Sequence, residues 1–137
     1  MTTGEKIRHY RKLRGLYQGE LGERIGVSAG AIRHYETDFR TPKQPQIEAI
    51  AEALDISPLA LKDFGVENAR DLLGLLLQLE DEFGIVPAED GSGLSIDASA
   101  EKAPKTTQML KAWAAKRNEL ESGEITPEEY ADWKAKF

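Results

Sequence analysis

The sequence predicts a mainly α-helical chain: five short helices within residues 1–64, then a mostly helical region over 65–137 that contains one small β-hairpin. Two observations carry this. Apolar residues recur at i, i+3, i+4 and i+7 through most of the chain, the spacing that lines one side of a helix. Glycine, proline and N-capping residues then punctuate those runs at short intervals.

The first helix is expected from about Gly4 to Arg14, with Ile7 and Tyr10 inward and Gly15 as its stop. The second starts at Gln18 and ends at Gly26, which can adopt the left-handed conformation that closes a helix. Leu21 and Ile25 mark its inner side. Ser28 is a suitable N-cap for the third helix, which carries Ile32 and Tyr35 inward. Residues 37–45 read as a loop punctuated by Pro42 and Pro45, and a fourth helix presents Ile47, Ile50, Ala51 and Leu54. Ser57 caps a short fifth, with Leu59, Leu61 and Phe64 available to close the core.

Beyond Phe64 the pattern changes. Asn68 to Phe83 reads as a leucine-rich helix. Gly84–Ala88 and Leu94–Ala98 flank Glu-Asp-Gly-Ser-Gly and suit a hairpin. Ser99–Lys105 reads as a linker, followed by an amphipathic helix with Met109, Leu110, Trp113, Ala114 and Leu120 on one side. Thr126-Pro127-Glu128-Glu129 combines an N-cap, a proline at the first helical position and a capping-box glutamate. The last helix then places Tyr130, Trp133 and Phe137 together. The expected domains are therefore 1–64 and an accessory region, 65–137, for dimerisation or sensing.

Composition narrows the function classes. The chain has no cysteine, so disulfides and thiolate metal sites are excluded, and a cytoplasmic location is expected. The longest apolar run, Leu72–Leu79, is far too short to span a bilayer, and no membrane partner is expected. The N-terminal stretch lacks the apolar segment of a signal peptide. Net charge is −6, unevenly spread: ten Lys/Arg and nine Asp/Glu in residues 1–64, eight and fifteen in residues 65–137. The acidic second part is poorly suited to lie against phosphate. No nucleophile–base arrangement, phosphate-cradling loop or metal cluster is evident, so neither catalysis nor a cofactor is expected. Glu80-Asp81-Glu82 reads as a solvated helix end, and two histidines are too few for a metal site.

The segment Gln18 to Glu36 is the informative one. Two short helices joined by a tight turn cross closely, which requires a small residue mid-helix, a glycine at the turn and fixed inward apolar positions. Gly22, Gly26 and the set Leu21, Ile25, Val27, Ile32 and Tyr35 meet those needs. With Arg-x-x-Arg-Gly-Leu before Gln18, Gly-Val-Ser before the third helix, Glu36 after it and Ala-Leu-Asp-Ile-Ser further on, residues 4 to about 64 resemble the Cro/repressor-type (Xre) helix-turn-helix family.

That resemblance implies a five-helix, lambda-repressor-like DNA-binding domain whose third helix enters the major groove. Ala29, Gly30, Arg33 and His34 would then face base edges, with Arg33 able to offer guanine a bidentate pair. Gln18, Arg40, Thr41 and Lys43 would hold phosphates. Arg11 and Glu36 occupy the positions of a structural ion pair that ties the first helix to the third. Two residues depart from the family pattern: Tyr17 stands where Ser or Thr is usual, and Gly30 interrupts the recognition helix. The implied function is sequence-specific binding of double-stranded DNA, most simply repression at a palindromic operator by a homodimer. An alternative is an interaction module, antitoxin-like or partner-binding, with DNA binding secondary. For leucines 72–79, the C-terminal core, a dimer interface and a ligand pocket all remain open, and residues 65–137 could take a protein partner or small ligand.

Overall fold

The computed structural model describes residues 1–137. They form two compact units, one of residues 1–64 with 131–137, the other of residues 65–130.

The first unit begins with four α-helices: α1 (Thr3–Leu13), α2 (Gln18–Ile25), α3 (Ala29–Glu36) and α4 (Gln44–Leu54). Local chemistry sets their ends. Thr2 caps α1, its hydroxyl accepting from Glu5 N at 3.2 Å while Thr2 N donates to the Glu5 carboxylate at 3.0 Å. Ser28 Oγ accepts from Ala31 N at 3.1 Å to start α3. Tyr17 has no capping side chain, but Glu20 compensates from inside α2, accepting from Tyr17 N at 3.0 Å.

Ile7, Leu21, Ile32, Ile50, Leu54 and Leu61 are fully buried, each from a different turn of the chain, and Tyr35 and Ala51 complete the centre. Removing one such aliphatic side chain from water contributes about 1.5–3 kcal/mol, so this cluster is the main favourable term of the unit. The helices approach closely because two positions lack a Cβ. One built on Gly22 would lie 2.5 Å from the Val27 carbonyl oxygen, and one on Gly4 2.2 Å from that of Tyr35.

The expected fifth helix is a single 3-10 turn, Pro58–Leu61, and it turns only Leu61 inward. Leu59 and Phe64, expected in the core, are exposed. The last element supplies what they do not. α7 (Pro127–Lys136) carries Ala135 into the hydrophobic cluster, and Ser57 N donates to the Ala135 carbonyl at 2.8 Å. The sequence-based division assigned all of 65–137 to one region. The final seven residues instead group with the first unit.

An ion-pair network fastens the same segment. Arg14 donates to the carbonyls of Leu54 and Asp55, at 2.7 and 3.1 Å, and to the Asp132 carboxylate at 2.9 Å. Lys136 bridges Asp132 and Asp55 at 2.9 and 3.1 Å.

The second unit contains α5 (Ala69–Phe83), β1 (Ile85–Pro87), β2 (Leu94–Ile96), α6 (Ala103–Ser122) and the first residues of α7. Asn68 Oδ1 caps α5 by accepting from Asp71 N at 2.9 Å. The strands pair antiparallel in the register Ile85↔Ile96, Val86↔Ser95, Pro87↔Leu94. In the turn, the Asp90 carboxylate accepts from Ser92 N at 3.0 Å, and bonding to Ser92 holds the Asp90 pKa below its ordinary value. α6 starts inside the expected linker, after Asp97 has collected the backbone and hydroxyl of Ser99 at 2.9 and 2.7 Å. The Thr126–Glu129 capping box forms, with bonds of 3.1 and 3.0 Å. Met109, Leu110 and Trp113, expected on a packed face of α6, are largely exposed. Trp113 is anchored by its indole N–H, which donates to the Tyr130 hydroxyl at 2.7 Å. No helix is long and apolar enough to cross a membrane.

Hydrogen bonds from Lys136 first and Arg14 second hold the Asp132 carboxyl below its ordinary value of 3.8. A group depressed in the folded state stabilises fully above its unfolded pKa and loses that contribution as the pH falls through the folded value. Asp132→Asn should therefore lower the thermal midpoint at neutral pH, and the difference from wild type should close well below pH 3.8. Melting curves across that range check it; a pH-independent difference would contradict the ion-pair origin.

Candidate nucleic-acid interface

α2 and α3 are joined by Gly26, which adopts φ 76°, ψ 30° and ends α2. A residue with a Cβ is disfavoured in that left-handed conformation, whereas glycine enters it freely. Val27 N then donates to the Gly22 carbonyl at 2.9 Å, so the turn closes within a few residues and α3 leaves at a fixed angle.

The two sides of α3 differ sharply. Ile32, Tyr35 and Glu36 are buried, while Ala29 and Arg33 are exposed and Gly30 and His34 are half-exposed. All four residues expected at base edges thus share the outward side of one short helix. Arg33 makes no ion pair within the chain. A Cβ on Gly30 would meet only Ser28 Oγ, at 3.7 Å, so packing inside the chain does not require glycine there.

Beneath this surface lies a buried polar node. Glu36 accepts from Arg11 through both carboxylate oxygens: Nε to Oε1, and a second guanidinium nitrogen to Oε2 at 3.1 Å. Arg11 also donates to the Leu16 carbonyl at 2.7 Å. The Gln18 amide donates to Glu36 Oε2 at 3.0 Å. Gln18, expected on a phosphate, is therefore oriented from behind and keeps a second amide hydrogen for an outside acceptor.

The loop after α3 is rigidly held. Asp38 adopts φ 58°, which aspartate tolerates better than most residues. Its carboxylate accepts from Thr2 Oγ1 at 2.6 Å and Gly4 N at 3.1 Å, fixing the loop to the start of α1. Arg40 N donates to the His34 carbonyl at 3.1 Å. Arg40, Thr41 and Lys43 are all exposed, and neither cation has an acidic partner in the chain. Lys43 N donates to the Gln46 side chain at 3.0 Å, which opens α4.

Two contributors were not singled out from the sequence. Phe39 is exposed, and its ring lies 4.9 Å from that of His34, tilted by 50°, which restrains the imidazole beside Arg33. Asp38 acts through its loop clamp. The only sequence signal for either was an Asp-Phe-Arg run immediately after a short helix. No group of three or more His, Cys, Asp or Glu is placed to hold a metal ion.

Residues 7–61 match the helix-turn-helix family. Among curated proteins, the chain is similar to the immunity repressor protein of Bacillus phage phi105, 24% identical over 138 residues, spanning 95% of this chain and 96% of that one. Among solved structures, it is similar to the P22 c2 repressor in complex with a synthetic operator: 36% identity, 44% of this chain and 92% of the other, TM-score 0.43. It is also similar to SinR, described as the master regulator for biofilm formation and solved in complex with DNA: 32% identity, 45% and 100% of the two chains, TM-score 0.43.

Two substitutions probe this region. Arg11→Ala would leave the Glu36 carboxylate buried without its cation, and breaking such a pair costs about 3–5 kcal/mol, measurable by denaturant unfolding. Gly30→Ala should stabilise the domain by up to about 1 kcal/mol, because alanine is the better helix former. If ligand backbone lies against Gly30, the same variant will bind DNA more weakly while melting higher.

Proposed function

We propose that this chain is a transcriptional regulator that binds double-stranded DNA by placing α3 in the major groove and represses by occupying an operator, a reading supported by the match of residues 7–61 to the helix-turn-helix family. The family is one of DNA-binding regulators rather than enzymes. The observation that carries the reading is the two-sided α3: one side locked into the core by Ile32, Tyr35 and Glu36, the other presenting Arg33 with no partner in the chain.

Chemistry then assigns roles. A guanidinium offers two parallel donors to the O6 and N7 acceptors of guanine, the geometry that distinguishes G·C in the major groove. His34, steadied by Phe39, adds a donor one residue further along. Ala29 and Gly30 contribute no hydrogen-bonding side chain, so the first turn of α3 supplies van der Waals contact to a thymine methyl or close backbone approach. Gln18, Arg40, Thr41 and Lys43 flank α3 and fix its register by phosphate contacts that carry no sequence information. A domain of net charge +1 neutralises few phosphates, so useful affinity calls for two copies on a palindrome with half-sites about 34 Å apart.

Selection of bound sequences from random duplex DNA tests this directly: a palindromic consensus with one-turn spacing is expected, and recovery of no enriched sequence would overturn it. Arg33→Ala should weaken binding to the selected site by about 1–3 kcal/mol and relax the preference at one base pair per half-site. Lys43→Ala should weaken all sequences alike and reduce the slope of log affinity against log salt by about 1 per copy. Fluorescence-anisotropy titrations at several salt concentrations separate these outcomes.

A further inference from the structure

We propose that α5 is the dimerisation element of this chain, pairing antiparallel with α5 of a second copy through the outward stripe Arg70, Leu73, Leu77 and Glu80. The proposal deepens the reading that two copies share one operator by naming the surface that joins them.

The second unit is short of a core. Of its residues only Gly84, Ala103 and Tyr130 are buried. α5 has fifteen residues, seven of them large and apolar, and none is buried. Ordering a residue costs about 1–2 kcal/mol of backbone entropy, a cost normally offset by apolar burial that α5 obtains only in part within one chain.

α5 carries two apolar stripes. Leu76, Leu79 and Phe83 are half-buried within their own unit, where Lys102 lies 5.0 Å above the Phe83 ring. The other stripe follows the spacing 70, 73, 77, 80, the alternating three-and-four step of a coiled-coil seam. Its two leucines are 55% and 63% exposed. Leu72 and Leu75, on other sides of α5, and Met109, Leu110 and Trp113 of α6 are also exposed, outside this stripe.

Charge selects the occupant and its direction. Arg70 stands at one end of the stripe and Glu80 at the other, and neither forms an ion pair within the chain. About a two-fold axis midway between the leucines, Leu73 meets Leu77 of the partner subunit and Arg70 meets Glu80 of the partner subunit, each contact occurring twice. A parallel pairing would set like charge on like charge and align the two helix dipoles unfavourably. The stripe is thus complementary to itself in one orientation only, which is the requirement of an isologous interface.

Sedimentation of the full chain at micromolar concentration is expected to show a dimer. Leu73→Asp with Leu77→Asp should make it monomeric with unchanged helical circular dichroism, since both side chains are exposed. Arg70→Glu and Glu80→Arg should each weaken the dimer several-fold, and the double reversal should restore it to within about twofold, the signature of a direct pair. A monomeric wild type, a dimer indifferent to the leucine changes, or a double reversal no better than the singles would overturn the proposal. Binding of the Leu73→Asp/Leu77→Asp chain to a single half-site duplex, compared with Arg33→Ala, keeps the DNA reading separate: loss of binding only in Arg33→Ala faults neither reading, whereas half-site binding unaffected by Arg33→Ala faults the DNA reading alone.

Discussion

The carboxylate of Glu36, buried at the end of α3, is the constraint on which the exposed surface of α3 depends. It gathers Arg11 from α1 and Gln18 from the start of α2, so three helices meet on one group. A buried charge left alone is costly, and its bonds strengthen as water is excluded, so the node tolerates little displacement. That rigidity sets where α3 can lie. Arg33 and His34 project from the opposite side of the same two turns, and a shift of the node would move them by the same amount. Every intramolecular bond that orients Gln18 also passes through Glu36.

Close backbone approach is the second condition. Gly4 and Gly22 each stand where a Cβ would run into a carbonyl oxygen, at Tyr35 and Val27. The first sets α1 against the end of α3, and the second sets α2 against the turn that leads into it. The helix is thereby fixed at both ends, and Asp38 closes the arrangement by binding the start of α1 at Thr2 and Gly4. A helix of eight residues such as α3 would not be stable as an isolated peptide. Here it is kept by packing on one side, which leaves the other free of any packing requirement, at Gly30 among other positions.

The two units contrast in how they obtain their order. The first has a dense centre of aliphatic side chains, completed by Ala135 and sealed by the Arg14, Asp132, Asp55 and Lys136 network. The second relies on caps, a hairpin of two three-residue strands and a tryptophan-to-tyrosine hydrogen bond, and leaves most of its leucines exposed. The first is self-sufficient as a fold. The second is apolar where it is uncovered, at Leu73, Leu77 and Trp113.

Local chemistry decided much of this protein before any tertiary contact. Ser28, Gly26, the Thr126–Glu129 box and the spacing of Ile32 and Tyr35 act within a turn or two of chain, so helix ends and the inward side of α3 were legible in the residues themselves. The pairing of Arg11 with Glu36 could be placed only through the family resemblance, because 25 residues separate them and spacing alone carries no such information. Tertiary structure settled the rest. Ser57, Asp55 and Arg14 bond to residues near the far end of the chain, so Ala135 rather than Leu59 or Phe64 completes the first core. The periodicity of α6 likewise marks an apolar side without saying whether anything covers it. A repeating pattern reports which residues can share a surface, whereas burial depends on what else the chain brings to that surface.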